Sequence, residues 1–338
     1  METWIAEQYI GGRIPIPASL LQSALQLYMH WYHRLDAWYR PEAQAASAPR
    51  PSIAARSREL IDAQYDRPRQ LFENFLGTTM KYSMGYWETG ASTLEQAQAA
   101  MLDDLCEKAQ IRDGQEILDV GCGFGSFAAH VLRKYPSCSV AGLNLSKVQA
   151  DYILEKQREP GHPLNTDRFQ LIRDDFNTVT LERRFDRVIS IGFFEHVSDV
   201  GLALEKIAGL LKPGGKCLLH YIVFRKQFRI DVMRPTRDGF ISKYIFPGGT
   251  IWREDELFKH QHHLRVADAW FLNGRNYRRT LESWLENFWR NMARIRAECG
   301  EDQRLIKVWD LYLRSSIAVF RTNRGNFYGN GQYLLTPA

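Results

Sequence analysis

The chain has 338 residues, of which 45% are hydrophobic and 25% are charged, an ordinary composition for a globular protein with a substantial core. Its formal net charge of +5 is spread along the sequence and gives no reason to expect nucleic-acid binding. No apolar run reaches the ~20 residues that span a membrane, and the first residues do not resemble a secretory signal, so a cytoplasmic location is predicted. The five cysteines form no CxxC pair, and no metal site is predicted.

The N-terminal region is predicted to be a helical cap. Between positions 17 and 40, apolar residues recur at the spacing of one broad helix face: Leu20, Leu21, Leu25, Leu27, Tyr28, Trp31 and Leu35. The stretch AQAASAPRPSIAARS that follows carries two prolines and many small residues, which is typical of a linker. We expect residues 1–70 to form the cap and linker and residues 71–338 the main domain, and a homodimer is left open.

From about residue 93 the sequence alternates helical and strand patterns. Ser92 or Thr93 is suited to cap a helix over residues 94–109. Strands are predicted at 116–120, 138–145, 169–175, 185–192 and 216–224, and further helices at 127–135 and 200–211. The Lys212-Pro213-Gly214-Gly215 break is expected to end the last helix and turn the chain into the next strand. This alternation predicts an α/β fold with a mostly parallel central sheet.

A glycine-rich turn joins the first predicted strand to its helix. Gly121, Gly123 and Gly125 permit left-handed backbone and allow a ligand to approach the main chain closely. Asp119 lies directly before them, where a carboxylate can face a cationic part of a nucleotide-like ligand. A dinucleotide turn would instead leave its helix N-terminus open to an anionic pyrophosphate.

Two further segments carry candidate chemistry. Glu195 and His196 follow the strand RVISI, at the sheet edge where open α/β folds bind ligands. Residues 225–300 form a long insertion rich in aromatics, which predicts either an acceptor-pocket wall or ordinary core. Its first part is basic and suits either a solvated loop or contact with an anionic lipid or substrate: Arg225, Lys226, Arg229, Arg234 and Arg237.

The segment LDVGCGFGSFAAHVL resembles motif I of class I S-adenosylmethionine (SAM) dependent methyltransferases, which have a Rossmann-like fold. Together with MKYSMGYW, GLNLSKVQ, GFFEHV, LKPGGKCLLH and YIFPGGT, it is similar to the group that contains cyclopropane fatty-acid synthases and plant coclaurine N-methyltransferases. The resemblance covers roughly residues 70 to 320, and the ordered set is far more specific than any single motif. It implies SAM as the cofactor.

The resemblance also assigns cofactor contacts to individual positions. It places Tyr82 and Ser83 at the methionine portion, Asp119, Gly121 and Gly123 on the floor, Leu145, Ser146 and Gln149 on the ribose side, and Asp174 near the adenine amino group. Asn144 stands where many methyltransferases have an acid for the ribose hydroxyls. An amide can still hydrogen-bond hydroxyls, so we expect binding to be retained.

For catalysis, cyclopropane synthases are thought to hold a bicarbonate base with a glutamate, a histidine, a tyrosine and a cysteine. The matching positions are Glu195, His220, Tyr312 and, in place of the cysteine, Met84. A thioether accepts weakly and donates nothing, so the substitution puts the anion site in question. Coclaurine-type enzymes use Glu195 and His196 at the same segment, with an additional glutamate where this chain has Gly192.

These residues support several hypotheses of different kinds. The first is methyl or methylene transfer to an alkene carbon of a lipid or other hydrophobic substrate, using Glu195, His220 and Tyr312. The alternative is N-methylation of a small aromatic or cyclic amine, using Glu195 and His196. The remaining hypotheses are a non-catalytic SAM-binding protein and a dinucleotide oxidoreductase.

Overall fold

The computed structural model describes residues 2–14, 16–36, 53, 68–225, 232–233, 240, 244, 249–300 and 302–338. Most of the predicted linker and most of the basic segment after Arg225 lie outside these ranges, so membrane contact by that segment stays a prediction, as does a homodimer. Across the ranges that are described, no helix is both long enough and apolar enough to cross a membrane.

The described helices lie on both sides of a central sheet. They are α1 Glu2–Ile10, α2 Ala18–Asp36, α3 Arg69–Phe75, α4 Leu94–Lys108, α5 Ser126–Lys134, α6 Lys147–Lys156, α7 Val200–Gly209, α8 Arg275–Arg290, α9 Met292–Cys299 and α10 Gln303–Arg321. Short 3-10 turns lie at Phe194–His196, Glu256–Lys259 and Thr322–Gly325.

The described strands form one sheet. They are β1 Glu116–Val120, β2 Ser139–Leu143, β3 Phe169–Ile172, β4 Phe185–Ile191, β5 Leu211–Phe224, β6 Val232–Met233, β7 Ile251–Arg253, β8 Leu264–Asn273 and β9 Tyr328–Pro337. Their order is β3-β2-β1-β4-β5-β7-β6, while β9 pairs with β5 and β8 pairs with β9. The pairs from β3 to β5 are parallel, whereas β9 is antiparallel to both β5 and β8. This confirms the predicted α/β fold with a mostly parallel sheet.

Local sequence explains why these elements form where they do. Strand β1 is almost entirely buried between β2 and β4, which suits its apolar run EILDV. Thr93 caps α4 in a capping box: its side chain accepts from Gln96 N while the Gln96 side chain accepts from the Thr93 backbone. The sequence named Ser92 or Thr93 as the cap, and the structure selects Thr93.

The Lys212–Gly215 break acts differently from the expectation. Helix α7 already ends at Gly209, and β5 begins at Leu211, so the break lies within the strand. The register with β4 jumps there, from Phe185 opposite Leu211 to Arg187 opposite Lys216. The extra residues are therefore a bulge, which leaves the pairing intact on either side.

The N-terminal cap packs on α10. Tyr9 on α1 donates a hydrogen bond to Asp310 of α10 at 3.0 Å, and Leu21 of α2 is buried in the same contact. Helix α1 was not predicted, because the apolar spacing of a helix begins only after position 17 in the sequence. The predicted apolar stripe of α2 is only partly buried, because Leu20 and Leu27 are 61% and 59% exposed among the described residues.

Candidate active site

A cavity opens at the carboxyl ends of β1, β2 and β4, where the loops after parallel strands meet at one edge of the sheet. Nine of the ten residues expected to bind the cofactor line it: Tyr82, Ser83, Asp119, Gly121, Gly123, Asn144, Leu145, Gln149 and Asp174. His196, from the predicted acceptor segment, lines it as well. The sheet topology thus brings together residues from distant parts of the chain.

The glycine turn forms the floor of this cavity. Gly121 has a φ of 74°, and a Cβ placed on it would come within 3.0 Å of the Phe193 ring. Gly123 has a φ of 57° and open space where a Cβ would lie. Side chains are therefore excluded at Gly121 by both backbone strain and contact, which keeps the main chain accessible to a ligand.

Asp119 is the most unusual polar group of the cavity. It is 1% exposed, and its Oδ2 atom has no hydrogen-bond partner among the described residues. Burial raises the pKa of this carboxyl to about 7. A cationic partner stabilises a carboxylate that is held away from water, so the contact between Asp119 and the cationic portion of the cofactor stays a prediction.

The ribose-side residues are held in a local hydrogen-bond network. Asn144 Nδ2 donates to Gly123 O at 2.8 Å and to Gln149 Oε1 at 3.1 Å, and Asn144 Oδ1 accepts from Ser146 N at 3.0 Å. Ser146 does not line the cavity; instead it is the N-cap of α6 and accepts from Gln149 N. A hydroxyl that accepts in a helix cap can still donate a hydrogen bond, so a ribose contact by Ser146 stays a prediction. Asp174 lies exposed at the rim.

Glu195 and His196 lie in a buried 3-10 turn directly after β4. Glu195 Oε1 accepts from Ile222 N at 2.9 Å, whereas Oε2 has no partner in the described part of the chain. Burial raises the pKa of Glu195 to about 7 and lowers that of His196 to about 4. Near neutral pH the imidazole is therefore uncharged and the carboxyl is poised to exchange a proton.

His220 and Tyr312 lie behind the cavity rather than on its wall. The buried His220 ring has its Nε2 atom 3.2 Å from Asn330 Nδ2, and its Nδ1 atom has no partner within the described ranges. Tyr312 Oη accepts a hydrogen bond from Tyr82 Oη at 3.2 Å, so it touches a cavity residue directly. Met84, at the position of the family's cysteine, is fully buried.

Sequence reasoning missed Lys81. It lines the cavity yet is only 2% exposed, and its Nζ atom donates to Ser83 Oγ at 2.7 Å and to Met84 O at 2.5 Å. Burial lowers its pKa to about 7, and its charge helps to lower the pKa of His220. The signal available in the sequence was a lysine directly before two predicted site residues with no neighbouring acid, but burial follows from packing that the sequence does not display.

Comparison with known proteins agrees with this geometry. The family described as mycolic acid cyclopropane synthetase matches residues 53–328. An (S)-coclaurine N-methyltransferase of Papaver somniferum is 30% identical over 77% of this chain and 76% of its own. The cyclopropane-fatty-acyl-phospholipid synthase of Escherichia coli (strain K12) is 33% identical over 76% of this chain and 63% of its own.

Two solved structures extend the likeness. A coclaurine N-methyltransferase bound to N-methylheliamine and S-adenosylhomocysteine (SAH) superposes with a TM-score of 0.85 and 26% identity, covering 98% of each chain. A cyclopropane synthase from Mycobacterium tuberculosis gives a TM-score of 0.71 and 25% identity, covering 83% of this chain and 98% of its own. These similarities confirm the hypothesis that the chain is a methyltransferase, over the hypotheses of a non-catalytic SAM-binding protein and of a dinucleotide oxidoreductase. The chain belongs to the mycolic acid cyclopropane synthetase family and is a methyltransferase whose cofactor is SAM.

Proposed function

We propose that the chain methylates the nitrogen of a hydrophobic amine, instead of the alkene carbon that the sequence alone favours. The observation that carries this proposal is the carboxyl of Glu195, which is 4% exposed and keeps Oε2 without a partner among the described residues. It adjoins His196, which lines the cofactor cavity. A buried carboxylate oxygen beside the cavity of the methyl donor suits an amine substrate, because an amine brings a proton or a positive charge to that oxygen.

Asp119, Glu195 and His196 would each have a separate role in methyl transfer to an amine. When bound, SAM supplies an electrophilic methyl group on a sulfonium, and Asp119 would face its cationic portion. Glu195, with a pKa of about 7, would orient the amine and take the proton that the nitrogen loses. His196 stays uncharged near neutral pH, so it adds no repulsion toward a cationic donor.

Aromatic side chains would exclude water from the reacting atoms. Tyr82, Phe124, Phe176 and Phe193 all line the cavity, and the Phe176 and Phe193 rings pack edge to face with centroids 5.4 Å apart. Aromatic faces attract cations and bury apolar ring systems. These walls therefore support a substrate that is both hydrophobic and basic.

Two comparisons support nitrogen as the acceptor. The N-methyltransferase structure covers 98% of this chain, whereas the mycobacterial cyclopropane synthase covers 83%, so the N-methyltransferase shares more of the chain. In addition, the family's cysteine is replaced by the buried Met84, which removes one polar group of the alkene mechanism.

The test is methyl transfer from labelled SAM to a panel of small cyclic and aromatic amines, alongside vesicles of unsaturated phospholipid. We expect label in amines, a loss of roughly 100-fold or more in kcat for Glu195→Gln, and no loss for Glu205→Gln, an exposed glutamate on α7. Label in phospholipid alone would refute nitrogen as the acceptor. Full amine activity in Glu195→Gln would refute the role of the carboxyl.

Carbon methylation is a second candidate, favoured by the buried Glu195 and His220, by the partly buried Tyr312 and by the 33% identity to the Escherichia coli synthase. In that case bicarbonate would be the proton acceptor. This candidate predicts lipid labelling that falls when bicarbonate is stripped from the buffer and is lost in Tyr312→Phe. Absence of lipid labelling would exclude carbon methylation, and lipid labelling that is insensitive to both changes would exclude the bicarbonate mechanism.

A further inference from the structure

The geometry points to a second binding site, for a phosphate-type anion, in a cavity at the N-terminus of α8. Four arginines line this cavity, with Phe320 and Gly325 completing its wall: Arg275, Arg278, Arg321 and Arg324. No acidic residue is among the lining residues that the structure describes. The cavity is separate from the methyl-transfer site in its residues and does not depend on the acceptor proposed above.

Two turns bring the arginines together. Gly274 N, before α8, donates to Gly325 O at 3.0 Å, and Arg275 Nε donates to Arg324 O at 3.0 Å. A Cβ on Gly325 would lie 2.6 Å from Arg275 N, so the turn that follows α10 can approach α8 this closely only with glycine. The start of one helix and the end of another therefore face a common space.

The charge in this space is compensated in part by an ion pair between Arg278 and Glu282. Arg275 and Arg278 occupy the first turn of α8, where the helix dipole disfavours cations. The Nε atom of Arg278 is buried without a hydrogen-bond partner within the described ranges, since the nearest carboxylate oxygen, on Glu282, is 3.6 Å away. Guanidinium groups converging on one space present the donor pattern that binds phosphate oxygens.

The backbone beside the cavity is left-handed at two consecutive residues of the turn. Asn323 and Arg324 have φ values of 49° and 55°, in the left-handed region that side chains other than Asn and Asp seldom adopt. An arginine seldom adopts this conformation, and backbone strain of this kind occurs at ligand sites as well as in tight turns. The conformation fixes where the Arg324 side chain leaves the turn.

The cavity lies on the same edge of the sheet as the active site. Tyr328, which begins β9, pairs with Phe224 at the carboxyl end of β5, and Asn330 pairs with Ile222. Arg225 N donates to Phe327 O, so the basic segment also begins at this corner. A phosphate group on a lipid headgroup or on a soluble ester would thus be held at the edge of the sheet that carries the cofactor cavity.

The experiment measures anion binding by the whole chain at low ionic strength. Isothermal calorimetry is run with inorganic phosphate and pyrophosphate, and co-sedimentation with vesicles of phosphatidylcholine alone or mixed with phosphatidylglycerol. The variants are R278Q/R321Q and R321Q/R324Q, and the matched control is R133Q/R158Q, which removes two exposed arginines elsewhere. Binding of SAH, at the cofactor cavity, reports whether each variant is folded.

We expect phosphate or phosphatidylglycerol vesicles to bind, and either cavity variant to weaken that binding at least tenfold while the control and SAH binding stay unchanged. Phosphate binding without vesicle binding identifies a soluble ester, whereas vesicle binding that phosphate displaces identifies a headgroup. The proposal is overturned if neither phosphate, pyrophosphate nor vesicles bind. It is equally overturned if a folded cavity variant binds like the wild type, or if the control loses as much as the cavity variants.

Discussion

Replacing Glu195 by Gln should make the cofactor-free protein more stable at alkaline pH while removing its activity. Burial raises the pKa of Glu195 from 4.5 to about 7. Below pH 4.5 the carboxyl is protonated in both the folded and the unfolded state and costs nothing. Above pH 7 the folded state holds a buried carboxylate. The free-energy cost that corresponds to the pKa difference between the folded and unfolded states, about 3 kcal/mol, is then subtracted in full from the free energy of unfolding.

Glutamine keeps an oxygen for the hydrogen bond from Ile222 N but adds an amide group without a partner, which costs about 1 kcal/mol. The net gain at pH 8 should therefore be about 2 kcal/mol. At pH 4.5 to 5, where the wild-type carboxyl is mostly protonated, the gain should vanish or change sign. The pH dependence separates the removal of a charge from any general change in packing.

The assay is urea-induced unfolding of the SAM-free protein at pH 5 and pH 8, followed by tryptophan fluorescence, with Glu205→Gln as the exposed control. The reasoning is refuted if Glu195→Gln is less stable than the wild type at pH 8. A gain of the same size at both pH values would also refute it, because that gain could not come from ionisation of Glu195.

Three further substitutions test the cofactor cavity. Asp119→Asn should raise the calorimetric Kd for SAM at least tenfold, since a buried charge-assisted contact is worth about 1.5–3 kcal/mol; an unchanged Kd would contradict the role of Asp119. Gly121→Ala should lower both the melting temperature and SAM affinity, because its φ is 74° and the new Cβ would lie 3.0 Å from Phe193; wild-type behaviour would disprove the close approach. Lys81→Met should raise the free energy of unfolding at pH 6, because burial lowers the lysine pKa from 10.5 to about 7 and the wild-type folded state holds a buried cation at that pH. The gain in stability should shrink toward pH 10, where the lysine of the folded state is neutral. A gain that grows with pH would contradict this account.

The sequence alone was sufficient for features that depend on near neighbours in the chain. The strand that contains Asp119, the turn through Gly121 and the helix capped by Thr93 each follow from local patterns: apolar runs, backbone freedom and capping hydrogen bonds. The ordered motifs also identified the cofactor and the enzyme class, because SAM binding uses a short, contiguous segment around the first strand.

Features that depend on contacts between distant segments were decided only by the tertiary structure. Strands and helices that are far apart in sequence pack together and produce three such features: the burial of Lys81, the contact of Tyr312 with Tyr82, and the Glu195 Oε2 atom without a hydrogen-bond partner among the described residues. The arginines of α8 and of the turn after α10 likewise share a cavity only because β8 and β9 pair along their length. Burial and electrostatic environment are sums over all neighbours in space, so a linear pattern names the residues but does not set their charge, their exposure or their partners.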